Sequence, residues 1–215
     1  DSRFARKLSL LTATTRGLLD SRFARKLSLL TATTRGLIVT IPLGVDQAKA
    51  FKPKPPKIPY ILYLGTIEPR KNLETLVSAY EQLNTKHKLI IAGEIGWKIQ
   101  PQVEKWQQNP NIIFTGFVTE AQKTKLLQEA SIFVYPSIYE GFGLPVLEAM
   151  SYGLPVICSD GGSLGEIFKT QAEIFPAQDS NALTNSIKKL LENPSLRKTL
   201  GTKGKIFSKQ LSWKK

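Results

Sequence analysis

From residue 37 onward, seven short apolar runs alternate with amphipathic stretches, and this alternation restricts the chain to one class of fold. The runs are LIVTI at 37–41, YILYL at 60–64, KLIIA at 88–92, NIIF at 111–114, SIFVY at 131–135, PVICS at 155–159 and AEIF at 172–175. A strand covered on both faces carries apolar residues without alternation, and strands of that kind belong to parallel sheets. The stretches between them read as helices. Leu73, Leu76, Val77, Tyr80 and Leu83 form one stripe behind Asn72 as N-cap, and Thr119 with Gln122 fits a capping box ahead of Leu126 and Leu127. Leu183, Ile187, Leu190 and Leu191 follow Asp179 in the same manner. Strand and helix in repetition make right-handed crossovers, so the expected fold is α/β, a doubly wound parallel Rossmann-like sheet. KPKPPKIP at 52–59 is held stiff and extended by its prolines, and closes a linker over 38–59 that leads into a domain at 60–215.

Ahead of this pattern, DSRFARKLSLLTATTRGL at 1–18 recurs unchanged at 20–37, with Leu19 between the copies. Two identical copies do not make a solenoid, which buries its core by stacking three or more units. The segment 1–37 reads as a tandem duplicate, tag-like or a remnant of a preceding domain. A second reading puts Phe4, Leu8 and Leu11 on one helical face with Arg3, Arg6 and Lys7 around it, a basic helix suited to a membrane interface.

Composition removes several classes. With 41% hydrophobic and 22% charged residues, the chain is not a disordered tail. No run of 18 apolar residues and no leader-like start is present, so a cytoplasmic protein is expected, with the inner face of the membrane as a peripheral station. One cysteine, Cys158, cannot close an internal disulfide, and with one histidine, His87, it cannot complete a zinc site. Lys plus Arg number 30 against 17 Asp plus Glu, a net +13; the first 37 residues hold 8 basic and 2 acidic residues, which leaves +7 for the remainder. A basic balance points to an anionic partner: nucleic acid, acidic lipid or a phosphorylated small molecule.

In an open α/β sheet, ligands lie beyond the carboxyl ends of the strands, so the loops there carry the functional signal. After YILYL comes GTIEPRKN, where Gly65 permits a tight turn and Arg70 and Lys71 arrive just before a helix start, a place suited to a phosphate or pyrophosphate. After SIFVY comes PSIYEGFGLPVLEAM. There Gly141 and Gly143 let the backbone approach a ligand, Pro145 suits the first helical turn, and Glu140 and Glu148 offer two carboxylates to the hydroxyls of one polar ligand.

GTIEPRKN, TGFV at 115–118, EGFGLPVLEAM and GLPVICSDGGSLGEI, in that order and spacing, resemble the C-terminal, donor-binding half of a retaining glycosyltransferase of family 4, also called group 1, of the GT-B architecture. The resemblance runs from about Ile38 to the end. It implies that Arg70 and Lys71 neutralise the pyrophosphate of a nucleotide sugar, and that Gly65 and Thr66 lie beside it. It also implies that Phe117 and Val118 hold the base largely through backbone, that Glu140, Gly141, Phe142, Gly143 and Leu144 grip the sugar, and that Glu148 takes the ribose hydroxyls. The catalytic set is then Arg70, Lys71 and Glu140. One departure stands out: Thr66 follows the strand glycine where many members carry arginine, which leaves Arg70 to supply that contact. The implied donor is of GDP-mannose or UDP-glucose type and the acceptor a glycan or lipid-linked saccharide.

No Asp-x-Asp motif is present to hold a divalent ion, so metal-independent chemistry without a further cofactor is expected, the cations stabilising the departing diphosphate. Family members are usually two Rossmann-like domains facing a cleft, so this polypeptide is expected to be inactive or weak by itself. FSKQLSWKK at 207–215 resembles the segment before the family's final crossover helix.

Other patterns point elsewhere. Gly161, Gly162, Ser163, Leu164 and Gly165 match the hydrolase elbow G-x-S-x-G, but no histidine follows Ser163 to complete a triad. His87 reads as an exposed turn residue and Cys158 as core, with Trp97 and Trp106 on the sheet flank and Trp97 also a candidate for the cleft edge. A competing function remains: a basic module that binds nucleic acid or a membrane surface without transferase activity.

Overall fold

The structure, a computed structural model, describes residues 32–34, 37–39, 43–48 and 56–211. The chain divides into two compact units, Asp1–Leu43 and Gly44–Lys215. In the first, strand β1 (Ala32–Thr34) pairs antiparallel with β2 (Leu37–Val39), Ala32 opposite Val39. The apolar run at 37–41 is therefore not a strand of the parallel sheet. Two residues separate it from β1, and a parallel pairing needs a crossover of a dozen or more, so an adjacent strand turns back on itself. The basic-helix reading of residues 3–11 lies outside the described residues.

The second unit is built on six strands: β3 (Tyr60–Leu64), β4 (Lys88–Ala92), β5 (Ile112–Gly116), β6 (Ile132–Tyr135), β7 (Val156–Ser159) and β8 (Glu173–Phe175). Every pairing among them is parallel, in the order β5-β4-β3-β6-β7-β8. β3, β6 and β7 are buried along their whole length, as their unbroken apolar sequences require, whereas edge strand β5 alternates, with Ile113 turned outward. Between and after the strands run α1 (Leu73–Glu81), α2 (Gln100–Trp106), α3 (Glu120–Glu129), α4 (Leu144–Ser151), α5 (Leu164–Phe168), α6 (Ser180–Glu192) and α7 (Pro194–Gln210). Among the described residues no helix is long and apolar enough to cross a membrane.

The helix starts follow their sequence signals with one exception. Thr119 forms the reciprocal capping box with Gln122, and the Asp179 carboxylate accepts from the Ala182 amide at 2.9 Å. Asn72 precedes α1 but does not cap it through its side chain. It sits in the left-handed region at φ 55°, donates from Nδ2 to the Pro136 carbonyl at 3.1 Å, and accepts the Thr75 hydroxyl at 2.8 Å. The residue ties two loops together instead of closing a helix end. FSKQ at 207–210 forms the last turn of α7, a helix that the apolar pattern alone does not announce. That helix lies close on α4: a Cβ at Gly204 would stand 2.8 Å from Met150 Cγ, and one at Gly201 would stand 2.2 Å from the carbonyl oxygen of Gly153 in the turn that follows α4, so no larger residue fits either contact. Residues 44–47, inside the stretch read as a linker, pack on the end of α7: the Val45 amide donates to the Leu211 carbonyl and Gln47 Nε2 to the Ser208 carbonyl, both at 2.9 Å.

Candidate functional site

The chain enters the sheet at its middle, runs outward through β4 and β5, then returns to β6 beside β3 and leaves in the other direction. Loops after β3 and β6 therefore diverge, and the crevice between them is where an open α/β sheet accepts ligands. Hydrogen bonds between the two loops hold them in register. The Ile138 amide donates to the Arg70 carbonyl at 2.9 Å, Asn72 reaches Pro136, and Lys71 reaches Glu140. A tight turn at Pro69–Lys71, started by its proline, delivers Arg70 and Lys71 to this place.

Glu140 Oε1 is the centre of the cluster. It accepts from Lys71 Nζ at 2.6 Å, from Arg70 NH1 at 2.9 Å and from the Tyr135 hydroxyl at 3.1 Å. Lys71 Nζ also donates to the Tyr135 oxygen at 2.8 Å and lies 5.1 Å from the ring centroid, so charge, phenol and carboxylate form one closed network. Arg70 donates further to the Tyr139 carbonyl at 2.9 Å and, from NH2, to Glu68 Oε1 at 2.7 Å. Burial alone would lower the Arg70 pKa, but Glu140 and Glu68 outweigh it and the guanidinium is held above its ordinary value. Burial, with Glu140 beside it, pushes the Tyr135 phenol well above the usual tyrosine range and keeps its proton in place. Tyr63 stacks on the Tyr135 ring at 6.0 Å and is raised for the same first reason.

The GGSLG stretch supports this cluster from below. Ser163 Oγ donates to the carbonyls of Glu140 at 3.1 Å and Gly141 at 2.6 Å, and the Ser163 amide also donates to the Glu140 carbonyl. Its hydroxyl therefore fixes the backbone of the Glu140 loop. Ser159 adds a bond from its hydroxyl to the Ser137 carbonyl.

The remaining expected residues are distributed around this centre. Gly141 is exposed, and a Cβ there would meet no other atom. Gly143 stands in a different environment. It is buried at φ +88°, and a Cβ there would lie 2.5 Å from Leu164 Cδ2, so the glycine serves the turn and the packing of α5. Phe142 is buried, while Thr66 and Phe117 are exposed. Glu148 is not joined to the Glu140 cluster. It pairs with Lys123 of α3 at 2.7 Å, and Lys123 also reaches Glu120 at 3.0 Å. These three, with Leu144, Tyr152 and Asp46, help to line a cleft of about 800 Å³ that Arg70, Lys71 and Glu140 do not line. The Lys123 ammonium is raised: burial opposes this, but its bonds to Glu148 and Glu120 prevail.

Tyr135, Lys123 and Glu68 are absent from the sequence expectation. Tyr135 ends an apolar run, where its ring reads as core and its polar tip goes unnoticed. Lys123 does carry a signal, three residues after Glu120 on one helical face. His87 is half-buried, its Nδ1 3.0 Å from Thr85 Oγ1, and not an exposed turn residue. Cys158 is buried, and Trp106 is buried while Trp97 stands 60% exposed, so only one of the two tryptophans covers the flank.

A family profile described as glycosyl transferases group 1 matches residues 45–207. The O-antigen chain mannosyltransferase B of Escherichia coli is 38% identical over 161 residues, 72% of this chain and 42% of that protein. A serotype-specific mannosyltransferase, WbdA, of the same species is 32% identical over 163 residues, 72% of this chain and 20% of that one. Among solved structures, sucrose-phosphate synthase of Thermosynechococcus elongatus superposes with a TM-score of 0.65 at 32% identity, over 73% of this chain and 42% of the other. Anabaena Alr3699/HepE in complex with UDP and glucose gives 0.66 at 21% identity, over 72% and 44%, a likeness of fold. The chain spans at most about two-fifths of the length of the two curated relatives.

Proposed function

This chain belongs to the group 1 glycosyl transferases, and we propose that its second unit is the donor-binding half of a retaining, family 4 hexosyltransferase that uses a nucleotide sugar. One observation carries the reading: Arg70, Lys71 and Glu140, from loops about 70 residues apart in sequence, converge within hydrogen-bond distance at the crevice of the sheet.

In this mechanism the bond between the sugar's anomeric carbon and the diphosphate oxygen breaks as an acceptor hydroxyl bonds to the same face. The hydroxyl's proton passes to the departing phosphate. Arg70 and Lys71 stabilise the charge that grows on that phosphate, and do so strongly because Lys71 is largely withdrawn from water. Glu140 and the backbone from Gly141 to Leu144 receive the sugar. Glu148, oriented by Lys123, takes the ribose, and Phe117 and Val118 border the base. Donors of GDP-mannose or UDP-glucose type fit best, since two relatives are named mannosyltransferases and the Anabaena structure holds UDP and glucose. The acceptor is a glycan or lipid-linked saccharide. Transfer on this reading proceeds without a divalent metal, since no Asp-x-Asp occurs in the sequence and Arg70 and Lys71 supply the positive charge.

A peripheral contact with anionic membrane accompanies this activity. Residues 38–179 hold 13 basic and 14 acidic residues, whereas 180–215 hold nine basic and one acidic, so the positive charge of the second unit is concentrated in its last part, the stretch that carries α6 and α7. Lys198, Lys203 and Lys209 lie on the exposed side of α7 around Ile206, which is 57% exposed.

Titration calorimetry of the purified chain with UDP-glucose, GDP-mannose, UDP, GDP and the bare nucleosides tests the donor reading, with duplex DNA as the competing ligand. Lys71→Ala is expected to weaken diphosphate binding by about 1.5–3 kcal/mol while leaving nucleoside binding unchanged. Equal losses for both would remove Lys71 from the diphosphate site, and preference for DNA would remove the donor reading.

A further inference from the structure

Resting on the donor-site reading, we propose that Glu140 is the site's built-in counter-ion, an intramolecular carboxylate that a donor's phosphates must displace from Arg70 and Lys71 before they can bind. The geometry that points to this is the occupancy of the cations' donors. Both hydrogens of Arg70 NH1 are taken, by Glu140 Oε1 at 2.9 Å and the Tyr139 carbonyl at 2.9 Å, and NH2 is turned to Glu68 at 2.7 Å. A guanidinium recognises phosphate best through two parallel bonds, and here its two terminal nitrogens are each engaged by a carboxylate, NH1 by Glu140 and NH2 by Glu68. Lys71 Nζ likewise divides itself between Glu140 and Tyr135 at 2.6 and 2.8 Å, with only 10% of its side chain exposed.

Charge leads to the same conclusion. Arg70 and Lys71 are balanced by Glu68 and Glu140, so the cluster is neutral as a whole and offers little long-range attraction to a passing anion. A monophosphate or inorganic phosphate gains nothing by entering unless it replaces what Glu140 already supplies. A nucleoside diphosphate brings two phosphates together with a base and ribose that bind elsewhere, and can therefore outcompete the carboxylate. Specificity then comes from a resident competitor as well as from complementary contacts.

The exchange needs no movement of the main chain. Ser163 holds the Glu140 carbonyl through both its amide and its hydroxyl, so the backbone stays in place while the side chain swings. Once released, the carboxylate is free to accept a sugar hydroxyl. Arrival of the diphosphate and engagement of the sugar thus become one coupled event.

The test uses titration calorimetry of the full chain with UDP and, separately, with inorganic pyrophosphate. Glu140→Gln, which removes the competing charge, is expected to bind both ligands roughly fivefold or more tightly than the parent, since a charge-assisted contact no longer has to be broken. The double variant Lys71→Ala with Glu140→Gln should show no such gain. Unchanged or weaker binding of both ligands by a folded Glu140→Gln overturns the proposal. Should that variant fail to fold, Glu140→Asp keeps the charge but withdraws it from Lys71; it too is expected to bind more tightly, and equal or weaker binding overturns the proposal. Tighter pyrophosphate binding without any binding of UDP or GDP would keep the counter-ion role while defeating the nucleotide-donor reading. No binding of either ligand by any form defeats both.

Discussion

Lys71 carries its charge to a place that water scarcely reaches, and the fold meets it with a carboxylate, a phenol and the face of a ring. Arg70, Lys71 and Glu140 were legible in the sequence because residue types that bind anions stood at loop positions after apolar strands. Their mutual contact was not, since it depends on which strands lie side by side. Tyr135 was hidden by its place in an apolar run, and the packing demand on Gly143 was hidden because a glycine needed for positive φ looks the same in sequence as one needed for a ligand. His87 supports a pH prediction at this scale. Burial first, then Arg197 and Lys86, lower its pKa below the ordinary 6.5. The unfolded imidazole therefore takes a proton that the folded one resists, and the stability this contributes above pH 6.5 is lost as pH falls through the folded value. Urea unfolding between about pH 8 and pH 5 should show wild type losing more stability than His87→Gln. Parallel slopes for the two proteins would remove His87 from the pH dependence.

Among the elements, α7 was the least readable and β3, β6 and β7 the most. A strand buried on both faces is announced by composition alone, whereas α7 is half lysine, threonine and glycine, and its two buried glycines fit α4 through the absence of side chains. Asn72 was read as a cap because asparagine before an apolar stripe usually is one; its actual role of tying loops depends on Pro136, a residue 64 positions away. The exposed face of α7 carries the membrane prediction. Each lysine near an anionic bilayer contributes about 1 kcal/mol. The variant Lys198→Ala with Lys203→Ala should thus lose roughly thirtyfold in partitioning to phosphatidylserine vesicles, with no change on neutral ones. Equal sedimentation of variant and parent with the anionic vesicles would show that this helix does not face the bilayer.

For the molecule as a whole, the carboxyl edge of the sheet is lined by side chains that remain open to solvent: Ile95, Trp97, Phe117, Ile138, Tyr139 and Leu144. Arg70 is itself 44% exposed. A transferase accelerates its reaction by holding donor and acceptor together and by excluding water, and a site open in this way does neither well. The 215-residue polypeptide is therefore expected to bind a nucleotide sugar weakly and to transfer little of it, with or without EDTA. Incubation with labelled UDP-glucose or GDP-mannose and saccharide acceptors checks this, and multiple turnovers would show that the unit suffices alone. Fold class was legible at this level because strand and helix alternate through most of the chain. The ribbon at 32–39 was not, because an apolar run of that length reads the same in parallel and antiparallel pairs.

The strand order has a consequence for how the protein acquires its site. β3 delivers the cations and β6 the carboxylate, and β4 and β5, on the far side of β3, lie between the two in sequence. Contacts between residues so distant in sequence form late, after the entropy of closing the intervening loop has been overcome. Until then Lys71 has neither Glu140 nor Tyr135, and a chain halted with only β3 to β5 assembled would display a hydrated ammonium and no crevice. On the donor-site reading, binding of a diphosphate measures completed folding: in a refolding experiment it should appear with the final phase, after most of the helical signal has already returned.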